Sequence, residues 1–371
     1  MDRNSQTLLS LLRSAMWGLP ADAVCVDTEW GKVFKLASEQ TVLGLVADAV
    51  SKLPSELKPE KDILVRMQHH VMRILQAHAL LDRKLAETVA LLRSHDIHPV
   101  LFKGQGLATN YPDPKLRQCG DIDLYVGKEN YKKACDVVIS AFGAGEHDLE
   151  SAKHMHLNNG GVTIELHRIA EKQPGYFEDR RYQAWTLQHL EHSERRKVQI
   201  GGEQIDLPPV NFDAVYIMNH TWHHFVNGGI GLRQVCDWTL YIHRFHKAID
   251  TDMLKKDLKS LNLWKVWHLF ACIAVDHLGL PLDECPFYDS RYSKTAEKVL
   301  DVILDEGNFG RYSEAKRTSR RPEGYASGKI HSFKMTASRY ARNFTIHPTY
   351  MVRAWFSFMN TGVTAFFKGL K

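Results

Sequence analysis

Apolar residues along the first 95 positions recur with the period of an amphipathic helix. Leu8, Leu9, Leu11, Leu12 and Met16 fall at helical spacing, and Thr41 to Leu53 repeats the pattern. Between Lys61 and Ser94 a longer stripe of Ile63, Met67, Val71, Ile74, Leu81, Leu85, Val89 and Leu92 predicts one long core-facing helix. Residues 1–95 therefore read as a helical region. Then the period changes. His98 to Phe102 is a short apolar strand after a proline-bounded start, punctuated by Lys103-Gly-Gln-Gly106. Asp121 to Val126 is a second strand, Glu129 to Phe142 a helix, and His154 to Leu157 a further short strand. Asn158-Asn-Gly-Gly161 has the chemistry of a hairpin turn and leads into a strand from Val162 to Ile169. Strands mixed with helices over 96–207 predict an α+β core.

Beyond Pro208-Pro209 the pattern is helical again. Asn211 is placed to cap a helix to Phe225, Gly231 opens another to Phe245, and further helices span Leu254 to Gly279 and Ser293 to Asp305. This sets off a helical region over 208–310 and a basic, aromatic-rich tail over 311–371. Within the tail, Arg317 to Ser327 reads as a loop and Tyr350 to Leu370 as an amphipathic helix, with core packing favoured over contact with a membrane surface.

Composition narrows the class. The 371 residues are 44% hydrophobic and 25% charged, as in ordinary globular proteins, and they suffice for two or three modules. No apolar run approaches the roughly 20 residues that cross a bilayer. The amino terminus lacks the pattern of a secretory signal, so the expected location is cytoplasmic. Six scattered cysteines with no CxxC pair argue against a disulfide framework or a thiolate zinc site. The net charge of +5 is concentrated late: Lys316, Arg317, Arg320, Arg321, Lys329, Lys334, Arg339 and Arg342 lie among aromatic residues between 311 and 353. That segment offers a surface for RNA, polyphosphate or an anionic membrane, or is a solvated tail.

Strand alternation supplies the candidate chemistry. Asp121 and Asp123 point to one face while Ile122, Leu124 and Val126 point to the core. Two adjacent carboxylates on a buried strand repel each other and lose solvation, penalties that a divalent cation relieves; oxygen donors suit Mg²⁺ or Mn²⁺. Val162 to Ile169 alternates in the same way, with Glu165 and His167 opposite Ile164 and Leu166. If the strands pair, Glu165, 44 positions after Asp121, completes a three-carboxylate cluster. Upstream, the glycines of Lys103-Gly104-Gln105-Gly106 let backbone amides approach an anion, and Lys103 and Arg117 are candidate triphosphate ligands. His167 is placed for a phosphate contact or for orienting Glu165.

Other groups fit less specific roles. His220 and His224 have ligand spacing, which also fits a hydrolytic metal site, but Trp222 and Phe225 mark a packed helix. His220 is either a substrate contact or a satisfied core histidine. Arg233 and Asp237, one turn apart, are expected to pair near the cleft.

The run Phe102-Lys-Gly…Tyr111…Arg117-Gln-Cys-Gly-Asp-Ile-Asp-Leu124…Ile164-Glu-Leu-His167 resembles the uncharacterised nucleotidyltransferase family of the DNA polymerase β-like superfamily. His220…Gly229-Ile-Gly-Leu-Arg-Gln-Val-Cys-Asp-Trp238 resembles that family's helical portion. The resemblance covers roughly residues 40 to 310, although Gln105 stands where superfamily members usually carry Gly or Ser. It implies a polymerase β-like core with flanking helices, and transfer of a nucleoside monophosphate from an NTP to an acceptor, releasing pyrophosphate. Asp121 and Asp123 would bind the metal, and Glu165 would complete the cluster and help deprotonate the acceptor. Two alternatives stay open: a nucleotide- or partner-binding protein with little catalysis, and a toxin-like transferase that modifies RNA.

Overall fold

The computed structural model describes residues 1–143, 154–312 and 325–368. At the amino terminus, α1 (Arg3–Trp17) is capped by the Asp2 side chain, which accepts from the Ser5 amide, and ends at Gly18 with φ +71°. It packs on α2 (Trp30–Glu39) and α3 (Leu43–Ser51). The long apolar stripe forms α4 (Lys61–Ser94) over the span its pattern predicts.

Six strands build one mixed sheet: β1 (Val100–Phe102), β2 (Asp121–Tyr125), β3 (His154–Asn159), β4 (Val162–His167), β5 (Arg196–Ile200) and β6 (Glu203–Leu207). Their order is β3-β4-β2-β1-β6-β5, with β2 parallel to β4, β1 parallel to β6 and the other pairs antiparallel. One face carries Leu101, Ile122, Leu124, Ile164 and Leu166 into a core shared with α4 and with α6 (Gly127–Phe142), which follows β2. The other carries Val100, Phe102 and Tyr125 into the core of the helical regions. There Phe102 stacks on Phe212 of α8 (Val210–Asn227), ring centres 6.0 Å apart, and meets the tilted Tyr216 ring at 4.6 Å.

The remaining helices are α5 (Gly104–Ala108), α7 (Tyr176–His192), α9 (Leu232–Phe245), α10 (Thr251–Ser260), α11 (Trp264–Cys272), α12 (Ser293–Glu306), α13 (Tyr325–Phe344) and α14 (Pro348–Lys368). The amino-terminal helices and the helices after 208 feed the same apolar core. Specific bonds join them: the Gln40 side chain donates to the Ile303 carbonyl at 2.9 Å and accepts from the Leu232 amide at 2.9 Å, and the Trp17 indole donates to the Leu278 carbonyl at 2.6 Å. Asn211 does not cap α8. Pro209 holds that position, while Asn211 exchanges two hydrogen bonds with the Asp250 backbone.

Of the loop expected at Arg317 to Ser327, residues 317–324 lie outside the described residues, as do Lys316, Arg317, Arg320 and Arg321 of the basic segment; Tyr325 opens α13. Arg339 and Arg342 pair with Glu306 at 3.3 and 2.7 Å, and Arg353 pairs with Glu178 at 3.4 Å. Among the described residues no helix is long and apolar enough to cross a membrane.

Candidate active site

The parallel register of β2 and β4 sets Asp123 directly beside Glu165 and Asp121 beside Thr163. Carboxylate oxygens of Asp121, Asp123 and Glu165 consequently lie within 4.8 Å of one another. All three line a cavity of about 320 Å³ between the sheet and helices α8 and α9.

The three carboxylates are not equivalent. Burial and the neighbouring Asp123 charge raise the pKa of Asp121. Burial also opposes ionisation of Asp123, but the Lys103 ammonium and the His167 hydrogen bond outweigh it and hold that carboxyl well below the ordinary range. At Glu165 burial is again opposed and outweighed, here chiefly by His167, and the pKa is lowered. His167 places Nε2 2.8 Å from Asp123 Oδ1 and 3.3 Å from Glu165 Oε2.

Lys103 occupies the end of β1 with φ +56° and ψ −140°, a strained backbone for a side-chain-bearing residue that costs on the order of 1–3 kcal/mol. Its Nζ lies 3.0 Å from Asp123 Oδ1 and 3.1 Å from His220 Nε2. An ammonium only donates, so His220 accepts at Nε2 and donates from Nδ1 to Glu171 Oε2 at 2.9 Å. Burial, the Lys103 charge and His224 push the His220 pKa well below its ordinary value, consistent with a neutral ring. Glu171–His220–Lys103–Asp123 thus forms one chain, buried at its two carboxylates and half-buried between them. Lys103 is an internal counter-ion to Asp123, and His220 is a bonded interior histidine that also lines the cavity.

Arg117 is engaged as well. Its Nε and Nη2 donate to the two Asp237 oxygens, each at 2.7 Å, and Tyr111 donates to the same carboxylate at 2.6 Å. That bidentate clamp replaces the expected Arg233–Asp237 pair; Arg233 instead donates to the Gln118 carbonyl. Arg233 still lines the cavity, and its Nε is buried without a hydrogen-bond partner. Gly104 lines the cavity with φ +45°, a conformation glycine tolerates. The Gln105 side chain turns away and donates to Asp82 of α4. Cys119, beside the acidic strand, receives a bond from Arg117, and burial pushes its thiol upward, away from a reactive thiolate.

The geometry adds groups that sequence reasoning left without a role. Glu171 anchors His220, and Phe309, with φ +57°, brings an aromatic ring to the cavity. Glu171 follows His167 by four positions, but nothing in its neighbours marks it as buried. His154 and His156 of β3 face Glu165 across the sheet.

The mixed sheet thus gathers three carboxylates in one cavity beside a half-buried lysine, an oxygen-donor set that could hold a metal ion. The chain belongs to the uncharacterised nucleotidyltransferase family, whose pattern matches residues 27–279 and so takes in the whole sheet and α8 and α9. No curated protein matches the chain. Among solved structures, an antigenic nucleotidyltransferase-like protein from Paracoccidioides brasiliensis is similar over 51% of this chain and 92% of its own, at 14% identity and a TM-score of 0.26, a likeness too loose to carry an argument.

Proposed function

We propose that the protein transfers a nucleoside monophosphate from an NTP to an acceptor hydroxyl or phosphate and releases pyrophosphate. The observation that carries this reading is the convergence of Asp121, Asp123 and Glu165 on one cavity through the β2–β4 register. The donor set fits Mg²⁺ or Mn²⁺: it is all oxygen, and the Lys103 and His167 contacts of Asp123 both fall on Oδ1. When bound there, such a cation supplies charge neutralisation and Lewis acidity.

The chain's own residues do the rest. Arg233, with a guanidinium nitrogen lacking a partner, binds the triphosphate beside Lys103 and Arg117, which line the same cavity. Phe309 offers its ring to the base. Glu165, kept ionised by His167, takes the proton of the acceptor as the acceptor oxygen bonds to the α-phosphorus and the bond to pyrophosphate breaks. Lys103 and His220 hold Asp123 in place. Among the described residues of the tail, Arg339, Arg342 and Arg353 are engaged in ion pairs with Glu306 and Glu178.

Pyrophosphate release from each Mg²⁺–NTP in the presence of a cell extract tests the reading. Release by the wild type and none by Glu165→Gln is expected. NTP binding without release would assign the cavity to binding alone.

A further inference from the structure

The antiparallel pairing of β3 with β4 sets His154 opposite His167 and His156 opposite Glu165. With a side-chain period of two, these four residues project from one face of the sheet as a two-by-two block, while Met155 and Leu157 are buried on the other. His154 Nε2 lies 3.9 Å and His167 Nε2 3.3 Å from Glu165 Oε2. His156 Nδ1 lies 3.1 Å from the other oxygen, Oε1. The His154 and His167 rings are centred 4.9 Å apart. Ligand atoms of His154, Glu165 and His167 all fall within 4.8 Å of one another.

We propose that His154, Glu165 and His167 form a second metal site, for a transition-metal dication of the zinc class, with His156 orienting Glu165. Two imidazole nitrogens and one carboxylate oxygen are the donors that Zn²⁺ and Co²⁺ prefer, whereas Mg²⁺ selects oxygen. Three protein ligands leave a coordination position open to water or a substrate atom. The site is reachable, because His154, His156 and Glu165 line the cavity. Orienting one carboxylate takes a single imidazole; three gathered around Glu165 make a ligand set. The site takes neither aspartate but shares Glu165 with the three-carboxylate cluster, so a cation held here competes with the transfer chemistry for that carboxylate, while its binding is read without any assay of transfer. His167 Nε2 also touches Asp123 Oδ1 at 2.8 Å, so a cation bound here exchanges that hydrogen bond for a metal bond.

Titration of the metal-stripped, full-length protein with Co²⁺, followed by its visible d–d absorption, tests the proposal. The wild type and Asp121→Asn are expected to bind one Co²⁺ with the same spectrum, displaced by Zn²⁺ and not by excess Mg²⁺. His154→Ala, which alters a partly exposed residue and spares the buried His167, is expected to weaken Co²⁺ binding by about tenfold or more with an unchanged circular dichroism spectrum. Absence of Co²⁺ absorption in the wild type, or equal binding by His154→Ala, would overturn it. So would binding that is lost in Asp121→Asn and kept in His154→Ala, since the ion would then sit among the carboxylates. Because Asp121→Asn disables the proposed transfer chemistry without touching these ligands, failure of one reading is distinguishable from failure of the other.

Discussion

The Lys103 ammonium sits 3.0 Å from Asp123 Oδ1, an ion pair in the wall of the cavity at the end of β1. A lysine expected to grip phosphate is also the counter-charge of a buried carboxylate. Its pKa follows from that: burial lowers it, and Asp123, Asp121 and Glu165 together more than compensate, so it is raised. Removing one partner of such a pair leaves the other charge stranded. Lys103→Met is therefore expected to destabilise the fold by about 3–5 kcal/mol in urea unfolding. A loss under about 1 kcal/mol would mean that the pair is solvated and weak.

Asp121 and Asp123, two positions apart, should respond in opposite ways to neutralisation. Asp121 is disfavoured as an anion by burial and by Asp123, so Asp121→Asn should leave the melting temperature unchanged or raised. Activity should fall by at least about a hundredfold, as expected on removing a group that stabilises transition-state charge. Asp123→Asn should lose activity and stability together, because it strands Lys103 and removes the His167 contact. Parallel melting curves and turnover assays on the two variants separate these outcomes.

The Arg117–Asp237 clamp ties the turn before β2 to α9. Asp237→Asn should cost about 3–5 kcal/mol by leaving the guanidinium buried and unpaired. Arg117→Lys alone should also destabilise the protein in urea unfolding, since an ammonium cannot reproduce the bidentate fork; equal stability of that variant and the wild type would contradict it.

Acid should weaken the fold through His220. Its folded pKa lies well below 6.5, so as pH falls below about 6.5 the unfolded chain takes up a proton that the folded chain refuses. Stability is complete above that pH and declines beneath it, at about 1.4 kcal/mol per pH unit. His347, pushed down to about 4 by burial, acts with the same sign. Urea unfolding across this range should show a slope shallower by about 1.4 kcal/mol per pH unit in His220→Asn, with the His347 contribution retained. An unchanged slope would show that His220 does not resist protonation.

Much of the core was legible because its signals are local. The stripe of α4 and the alternation of Ile122, Leu124, Ile164 and Leu166 state which face is buried before any partner is known. The same alternation aims Asp121, Asp123 and Glu165 one way. The β5–β6 hairpin and α7 were not foreseen. Arg196-Lys-Val-Gln-Ile200 is an edge strand with exposed polar positions, and α7 buries Tyr182, Trp185, Thr186 and His189 with a single aliphatic residue, Leu190, rather than an aliphatic stripe. Pairings between distant segments were out of reach: Arg117 and Asp237 are 120 positions apart, and the local rule that joined Asp237 to Arg233 loses to a buried bidentate fit. The contacts of Lys103 were hidden for the same reason, since Asp123 and His220 reach it only through the register and the packing of α8.

The most direct test of the central claim compares two labels on the same NTP, one on the α-phosphate and one on the γ-phosphate, incubated with Mg²⁺ and a cell extract. Nucleotidyl transfer at Asp121, Asp123 and Glu165 predicts that the α-label alone joins an acceptor, with the γ-label recovered as pyrophosphate, and that Asp121→Asn does neither. Acceptor carrying the γ-label, or α-label transferred equally by Asp121→Asn, would contradict the account.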